Sequence, residues 1–305
     1  MDKERFPMTE EHPAPAARIV RSKLEPGLYV TATPIGNLAD VTLRALSVLA
    51  SAELVLCEDT RVTRRLLDRY GLRPKLLAYH EHNAASMRPR VLERLGAGDS
   101  VALVSDAGTP LVSDPGYKLV EAAIEAGHKI FPIPGASAAL AALVAAGLPT
   151  DRFFFEGFLP AKSGPRKTRI AELADVPATL VLYESGPRLA ASLRDLAGGL
   201  GAREAAICRE LTKKFEEVRR GTLPHLAAHY GEAGEPRGEI VIVVAPPATE
   251  AKAVSSDALD AKLTAALKML SVKDAADAIV AETGMKRREV YQRALMLAGQ
   301  REKTR

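Results

Sequence analysis

Three short loops rich in glycine and proline carry the residue types from which a small-molecule site can be built. The first loop is T-P-I-G-N-L (33–38), the second S-D-A-G-T-P (105–110) followed by D-P-G-Y (114–117), and the third P-I-P-G-A-S (132–137). Glycine lets backbone approach a ligand, and proline stiffens a loop. The Asp106 carboxylate offers acceptors for an ammonium or ribose hydroxyl, and Ser137 can cap a helix and lend its hydroxyl or N–H to a ligand. One such loop is more simply an ordinary turn, whereas three on one edge favour a site.

The elements around these loops predict such a shared edge. Strand-like runs at 28–33, 53–57, 101–105 and 129–133 alternate with helical spacing of apolar residues at 42–52, 63–70, 117–126 and 136–146. This alternation is typical of βαβ units on a parallel sheet, whose strands are buried on both faces. Ligands of such sheets bind at the carboxyl ends of the strands, where the three loops lie.

A second group of strands is predicted after residue 148 at closer spacing, with one clear helix among them at 188–196. The strands are expected at 153–158, 179–183, 205–211, 215–222 and 239–245. Close spacing favours a mixed or largely antiparallel sheet. We therefore predict a parallel α/β domain at 27–147 and a second, mixed-sheet α/β domain at 148–247.

The two ends of the chain have different compositions. Residues 1–26 are charged and proline-rich without an apolar core, which predicts a disordered tail and not a signal peptide. A third domain at 256–305 is predicted to hold helices at 257–270, 272–282 and 287–297, the last two resembling a helix-turn-helix. Seven Lys/Arg against two Glu lie between Gly284 and Arg305, whereas the whole chain has a net charge of +4.

Several function classes are disfavoured by what the sequence lacks. Two isolated cysteines, Cys57 and Cys208, build neither a disulfide framework nor a zinc site. No run approaches the roughly 18 apolar residues of a membrane span, so we expect a cytoplasmic protein without a membrane partner. His80 and His82 lack the spacing and further ligands of a metal motif, so no metal is expected. Phosphate-binding, dinucleotide-binding and nucleophile-elbow motifs are also absent.

Basic residues form local clusters that are candidate contacts for RNA phosphates. Lys162, Arg166, Lys167 and Arg169 share a predicted Gly/Pro-containing loop, and Arg61 begins another cluster with Arg64 and Arg65. Lys/Arg contacts to phosphates add affinity but little sequence preference. Each cluster alone is more simply a solvated surface patch.

The loop motifs resemble those of the tetrapyrrole-methylase-like family of methyltransferases that use S-adenosyl-L-methionine (AdoMet). T-P-I-G-N-L, S-D-A-G-T-P-L-V-S-D-P-G, P-G-A-S-A and E-G-F-L-P have that family's order and spacing. Other motifs resemble more specifically those of the ribosomal RNA small-subunit methyltransferase I subfamily. They are E-D-T-R (58–61), H-x-H-N (80–83), E-G-F-L-P-A-K (156–162), Y-E-S (183–185), R-E-L-T-K (209–213) and G-E-x-V (238–241). The likeness covers 27–245 and continues in the C-terminal helices.

This resemblance implies an AdoMet pocket between the two α/β domains, a homodimer, and 2′-O-methylation of a cytidine in the decoding region of 16S ribosomal RNA in the small ribosomal subunit. The cofactor-binding residues that it implies are Pro34, Asp106, Gly108, Thr109, Ser137, Ala138, Tyr183, Leu211 and Gly238. In this context the segment 162–169 is favoured as an RNA contact.

The chemistry implied is an in-line displacement on a sulfonium, for which alignment of the reacting atoms supplies roughly 7–11 kcal/mol. A neutral 2′-hydroxyl is a poor nucleophile, and a base or nearby cation adds about 10²–10⁴-fold. Candidates are Glu58, Asp59 and Lys213, among which the sequence does not choose.

Two other functions stay open at this point. One is methylation of a tetrapyrrole or corrinoid precursor, a substrate that gives the basic segments no role. The other is a non-catalytic RNA-binding ribosome-assembly factor that keeps the fold without the chemistry.

Overall fold

The computed structural model describes residues 19, 21–248, 256–283, 285 and 287–303. The chain divides after Pro247 into two compact units. Of the tail predicted at 1–26, residues 1–18 and 20 lie outside the described residues, and 19 and 21–26 have neither helix nor strand. No helix among the described residues is long and apolar enough to cross a membrane.

The first sheet is parallel throughout and has the strand order β3-β2-β4-β1-β5. Its strands are β1 (Gly27–Thr31), β2 (Leu54–Cys57), β3 (Leu76–Ala78), β4 (Ser100–Val104) and β5 (Ile130–Ile133). The helices between and after them are α1 (Leu43–Ser51), α2 (Thr60–Arg69), α3 (Ala84–Gly96), α4 (Tyr117–Glu125) and α5 (Ala138–Ala146). The predicted parallel α/β architecture is confirmed.

One strand of this sheet, β3, and the helix that follows it, α3, were not predicted. β3 has three half-buried residues, too few for a periodic pattern. α3 contains Pro89, which disfavours a helix interior, so the sequence argues against this helix although Asn83 is a residue type that commonly begins one.

The second sheet is mixed, as predicted, with the order β6-β7-β10-β8-β9. Its strands are β6 (Phe153–Phe158), β7 (Thr179–Ser185), β8 (Glu204–Arg209), β9 (Glu217–Thr222) and β10 (Glu239–Val244). Only β6 and β7 pair in parallel, and the other neighbours are antiparallel.

Three helices, and not one, lie among these strands: α6 (Ser163–Leu173), α7 (Gly186–Leu200) and α8 (Leu223–Glu232). The predicted loop at 162–169 is therefore wrong, because Gly164 and Pro165 lie in the first turn of α6. Proline is tolerated there, since the first-turn N–H groups have no partner within the helix.

Helix α5 joins the two sheets. Its buried residues pack with Ile35 of the first loop and with β7, β8 and β10 of the second sheet. The domain boundary predicted at 147/148 stays a prediction, and α5, which precedes it, packs on the second sheet.

The second unit holds α9 (Ser256–Ala266), α10 (Val272–Thr283) and α11 (Arg287–Lys303). Leu259, Leu263, Ile279 and Val290 are among the residues of its own apolar core. Three helices were predicted there. At least three basic residues in the described part of this unit are paired: Lys262 with Glu282, Arg287 with Asp277 and Arg293 with Asp260.

Candidate active site

The three loops form one continuous rim because they follow three adjacent strands, β4, β1 and β5. The Thr33 N–H donates to Gly108 O (2.8 Å), and the Gly108 N–H donates back to Thr33 O (3.1 Å). Thr109 Oγ1 donates to Ala136 O (3.2 Å), which ties the second loop to the third. The shared edge expected from the sequence is confirmed.

Glycines at two points of this rim permit its close packing. Gly108 has φ +79°, in the left-handed region that side chains rarely adopt. A Cβ on Gly135 would lie 2.9 Å from Ala32 Cβ. Ser137 caps α5 as predicted, since its hydroxyl accepts the Leu140 N–H (3.5 Å).

A cleft of about 270 Å³ opens beside this rim and is lined by both sheets. Its volume is close to the lower end of the roughly 300–1,000 Å³ typical of small-molecule sites. Seven of the nine residues implied as cofactor contacts line it: Asp106, Gly108, Thr109, Ser137, Ala138, Tyr183 and Leu211.

The other two implied residues, Pro34 and Gly238, are not part of the lining. Pro34 is buried in the first loop, and its neighbour Ile35 lines the cleft instead. Gly238 has φ +100°, and a Cβ there would lie 2.3 Å from Glu210 Oε1. The following residue, Glu239, is the one that reaches the lining.

The Asp106 carboxylate lies just after the end of β4, in the second loop of the rim. Its Oδ1 accepts the Asp59 N–H (3.0 Å). Burial raises the pKa of Asp106, and this hydrogen bond offsets the rise only in part. The unshared oxygen remains available to a donor in the cleft.

Two of the three candidates, Asp59 and Lys213, are poorly suited to act as a base, and a role for Lys213 as the nearby cation stays a prediction. The Arg61 guanidinium, bonded to Asp59 (NH2 to Oδ2, 2.6 Å), lowers the pKa of that carboxyl to about 2. Lys213 Nζ lies 2.9 Å from Glu210 Oε1 and 2.7 Å from Glu239 Oε2. Burial lowers the pKa of Lys213, but these bonds raise it by more, so the ammonium keeps its proton.

The third candidate, Glu58, is a better proton acceptor than Asp59 or Lys213, but it does not line the cleft. Burial raises its pKa, and the nearby Asp106 raises it further. Its carboxylate is nevertheless close enough to Asp106 for the two charges to interact.

The four predicted RNA contacts divide into three exposed side chains and one buried one. Lys162 and Lys167 are exposed at the start of α6, and Arg61 is exposed beside Asp59. Arg166 is only 4% exposed, and its NH2 lies 2.7 Å from Asp195 Oδ2. The prediction for Arg166 is therefore wrong, because its guanidinium serves an internal ion pair.

Sequence reasoning did not single out Asp114, and of the second sheet it named Tyr183 and Leu211 but missed Phe158, Glu184 and Cys208. The S-D-P-G run that contains Asp114 was a usable signal. A second signal is visible only in the structure: the four non-glycine residues with positive φ in the described part of the chain lie in two loops beside the cleft. They are Leu111, Ser113, Glu210 and Thr212. Backbone strain of this kind is common at functional sites.

No group of three or more His, Cys, Asp or Glu in the described part of the chain is arranged to hold a metal ion. The polar groups that line the cleft are backbone groups, hydroxyls and carboxylates, and the carboxylates can accept hydrogen bonds from the amine and hydroxyl groups of an organic molecule.

Two protein families match this chain. The tetrapyrrole (corrin/porphyrin) methylases match residues 27–227, and the RsmI C-terminal HTH domain matches residues 253–298.

Relatives and solved structures agree with these matches. The chain is 55% identical to "Ribosomal RNA small subunit methyltransferase I" of Mesorhizobium japonicum over 90% of this chain and 93% of that one. It is 48% identical to the protein of the same name from Halalkalibacterium halodurans over 71% and 75%. A uroporphyrin-III C-methyltransferase from Thermus thermophilus, solved with S-adenosyl homocysteine, has a TM-score of 0.52 and 21% identity, covering 72% and 97%.

Proposed function

We propose, from the premise that this chain belongs to the ribosomal RNA small subunit methyltransferase I family, that it transfers the methyl group of AdoMet to the 2′-hydroxyl of a cytidine in 16S ribosomal RNA. Membership makes it an AdoMet-dependent ribosomal RNA methyltransferase. The target nucleotide and the oxygen are our proposal. The observation that carries it is the cleft lined by the fused loop rim and the second sheet.

The residues of the cleft fit AdoMet by the chemistry of their groups. Asp106 and the backbone of the second loop supply acceptors for its ammonium and ribose hydroxyls, and the Ser137 end of α5 supplies donors for its carboxylate. Apolar surface comes from Ile35, Ala138 and Leu211. When bound, AdoMet supplies a methyl group already activated on sulfur.

An RNA substrate is supported by the C-terminal helix-turn-helix match and by the exposed lysines of α6. We expect Lys162→Ala/Lys167→Ala to weaken binding to small ribosomal subunits and to lower the slope of log affinity against log salt by about 1.5, since each phosphate contact contributes roughly 0.7–0.9. Filter binding between 50 and 200 mM salt measures this.

The matched control is Lys75→Ala, an exposed lysine just before β3, at the opposite edge of the sheet from the cleft. It should leave the slope as in the wild type. An unchanged slope in the α6 variant would remove the two lysines from the RNA surface.

The assembly that we propose is a homodimer acting in the cytoplasm, where small subunits are made. Leu140 and Val144, one turn apart on α5, are 50% and 77% exposed, an apolar face that a second copy would cover. Sedimentation equilibrium should give twice the mass of one chain.

The proposed function is tested by incubating the protein with methyl-labelled AdoMet and three acceptors: small subunits from cells lacking the enzyme, large subunits, and a tetrapyrrole precursor. Label should enter the small subunit alone, at one cytidine resistant to alkaline cleavage on its 3′ side. Label on a base, or only on the tetrapyrrole, would contradict the proposal.

A further inference from the structure

Methyl transfer to a hydroxyl requires a place for the hydroxyl proton, and the cleft lining holds six groups that titrate. They are Asp106, Asp114, Tyr183, Glu184, Cys208 and Glu239. A proton acceptor must be ionised near neutral pH and must not be held by a cation or saturated with donors. These two conditions distinguish the six groups.

Three of the carboxylates are already occupied. Glu184 accepts the Ser185 N–H (2.8 Å) and the Ser192 hydroxyl and lies 3.2 Å from Arg188 Nε. Glu239 is paired with Lys213. Asp106 accepts a backbone N–H and is the acceptor that we assign to AdoMet.

Tyr183 and Cys208 keep their protons near neutral pH. Burial raises the pKa of the Tyr183 phenol. Burial also raises the pKa of the Cys208 thiol, to about 11.

Asp114 is different because no cation in the described part of the chain is bonded to it. The groups that face it are the Ser105 hydroxyl, the carboxylates of Glu58 and Asp106, and Tyr183. Burial, and then the charge of Glu58, raise the pKa of Asp114 to about 6. A carboxylate in this range is ionised at neutral pH and is a stronger base than an ordinary one.

The loop that carries Asp114 has unusual backbone conformations that hold its carboxylate in the cleft lining. Ser113 has φ +63°, immediately before Asp114. Gly116 has φ +133°, and a Cβ there would lie 2.9 Å from Leu103 Cδ2. The turn is therefore packed tightly against β4, which limits the freedom of the aspartate between these two residues.

We infer that the Asp114 carboxylate accepts the proton of the attacking ribose 2′-hydroxyl, an assignment that rests on the proposed function. Methyl transfer forms the bond between the ribose oxygen and the methyl carbon, breaks the sulfur–carbon bond and leaves neutral S-adenosylhomocysteine. The proton lost by the hydroxyl goes to an Asp114 oxygen and then to solvent.

The test compares Asp114→Asn and Asp114→Glu with the wild type in single-turnover methylation of small subunits from pH 5 to 9. We expect Asp114→Asn to lower the rate at pH 7.5 by about 10²–10⁴-fold, and Asp114→Glu to recover part of it. The wild-type rate should fall about tenfold per pH unit below pH 6, and Asp114→Asn should lose this dependence. AdoMet and subunit affinities, measured separately, should stay within about twofold.

The ¹³C carboxyl spectrum gives a readout that is independent of activity. The Asp114 signal is identified as the one that the Asp114→Asn spectrum lacks, and in the wild type it should titrate near pH 6. The inference is overturned if Asp114→Asn keeps a rate within about threefold of the wild type, keeps the acidic limb, or if both variants lose rate equally. Failure of the wild type itself to methylate small subunits would instead contradict the proposed function.

Discussion

Replacing Asp106 by alanine is expected to weaken AdoMet binding by about 10–150-fold, because one hydrogen bond to a charged group contributes roughly 1.5–3 kcal/mol. The carboxylate lies in the cleft lining at the end of β4. Calorimetric titration with AdoMet measures the change directly.

Asp106→Asn separates charge from structure in this prediction. The amide oxygen can still accept the Asp59 N–H, which the alanine variant loses. An intermediate loss for asparagine would assign the remainder to charge. Asp151→Ala, an exposed aspartate outside the lining, is the control. Wild-type affinity in Asp106→Ala would show that the carboxylate does not bind AdoMet.

Gly186→Ala is expected to destabilise the fold by about 3 kcal/mol or more, since overpacking against atoms that cannot move lies at the upper end of its usual range. A Cβ on this first residue of α7 would lie 1.7 Å from the carbonyl oxygen of Pro236. The neighbour is backbone, so a rotamer change cannot relieve the clash. Urea unfolding measures the free energy of unfolding.

Gly198→Ala is the matched control because Gly198 is in the same helix and its Cβ would meet no atom within 4 Å. Alanine is the better helix former by about 1 kcal/mol, so this variant should be as stable as the wild type or more so. Equal destabilisation of both variants would contradict the close approach at Gly186.

The layout of the fold followed from short-range patterns. Alternating apolar strands and helices predicted the parallel sheet, and close strand spacing predicted the mixed one. The misses have local causes: β3 has only three residues, α3 contains Pro89, and Gly164 and Pro165 resemble a loop while opening α6.

The site was predictable where ligand contacts come from contiguous motifs. The loop rim, with Asp106 and Ser137, is built from such motifs and was predicted. Arg166 does not, because its partner Asp195 is 29 residues away and no local pattern pairs them. Asp114 depends on left-handed backbone at Ser113, a conformation that serine does not signal.

A crystal structure with bound S-adenosylhomocysteine would show whether the loop rim and the second sheet together form the AdoMet cleft. We expect density for the ligand against Asp106, Thr109 and Ser137 on one side and Tyr183 and Leu211 on the other. Density for S-adenosylhomocysteine at any other place, with this cleft left to solvent, would contradict the account.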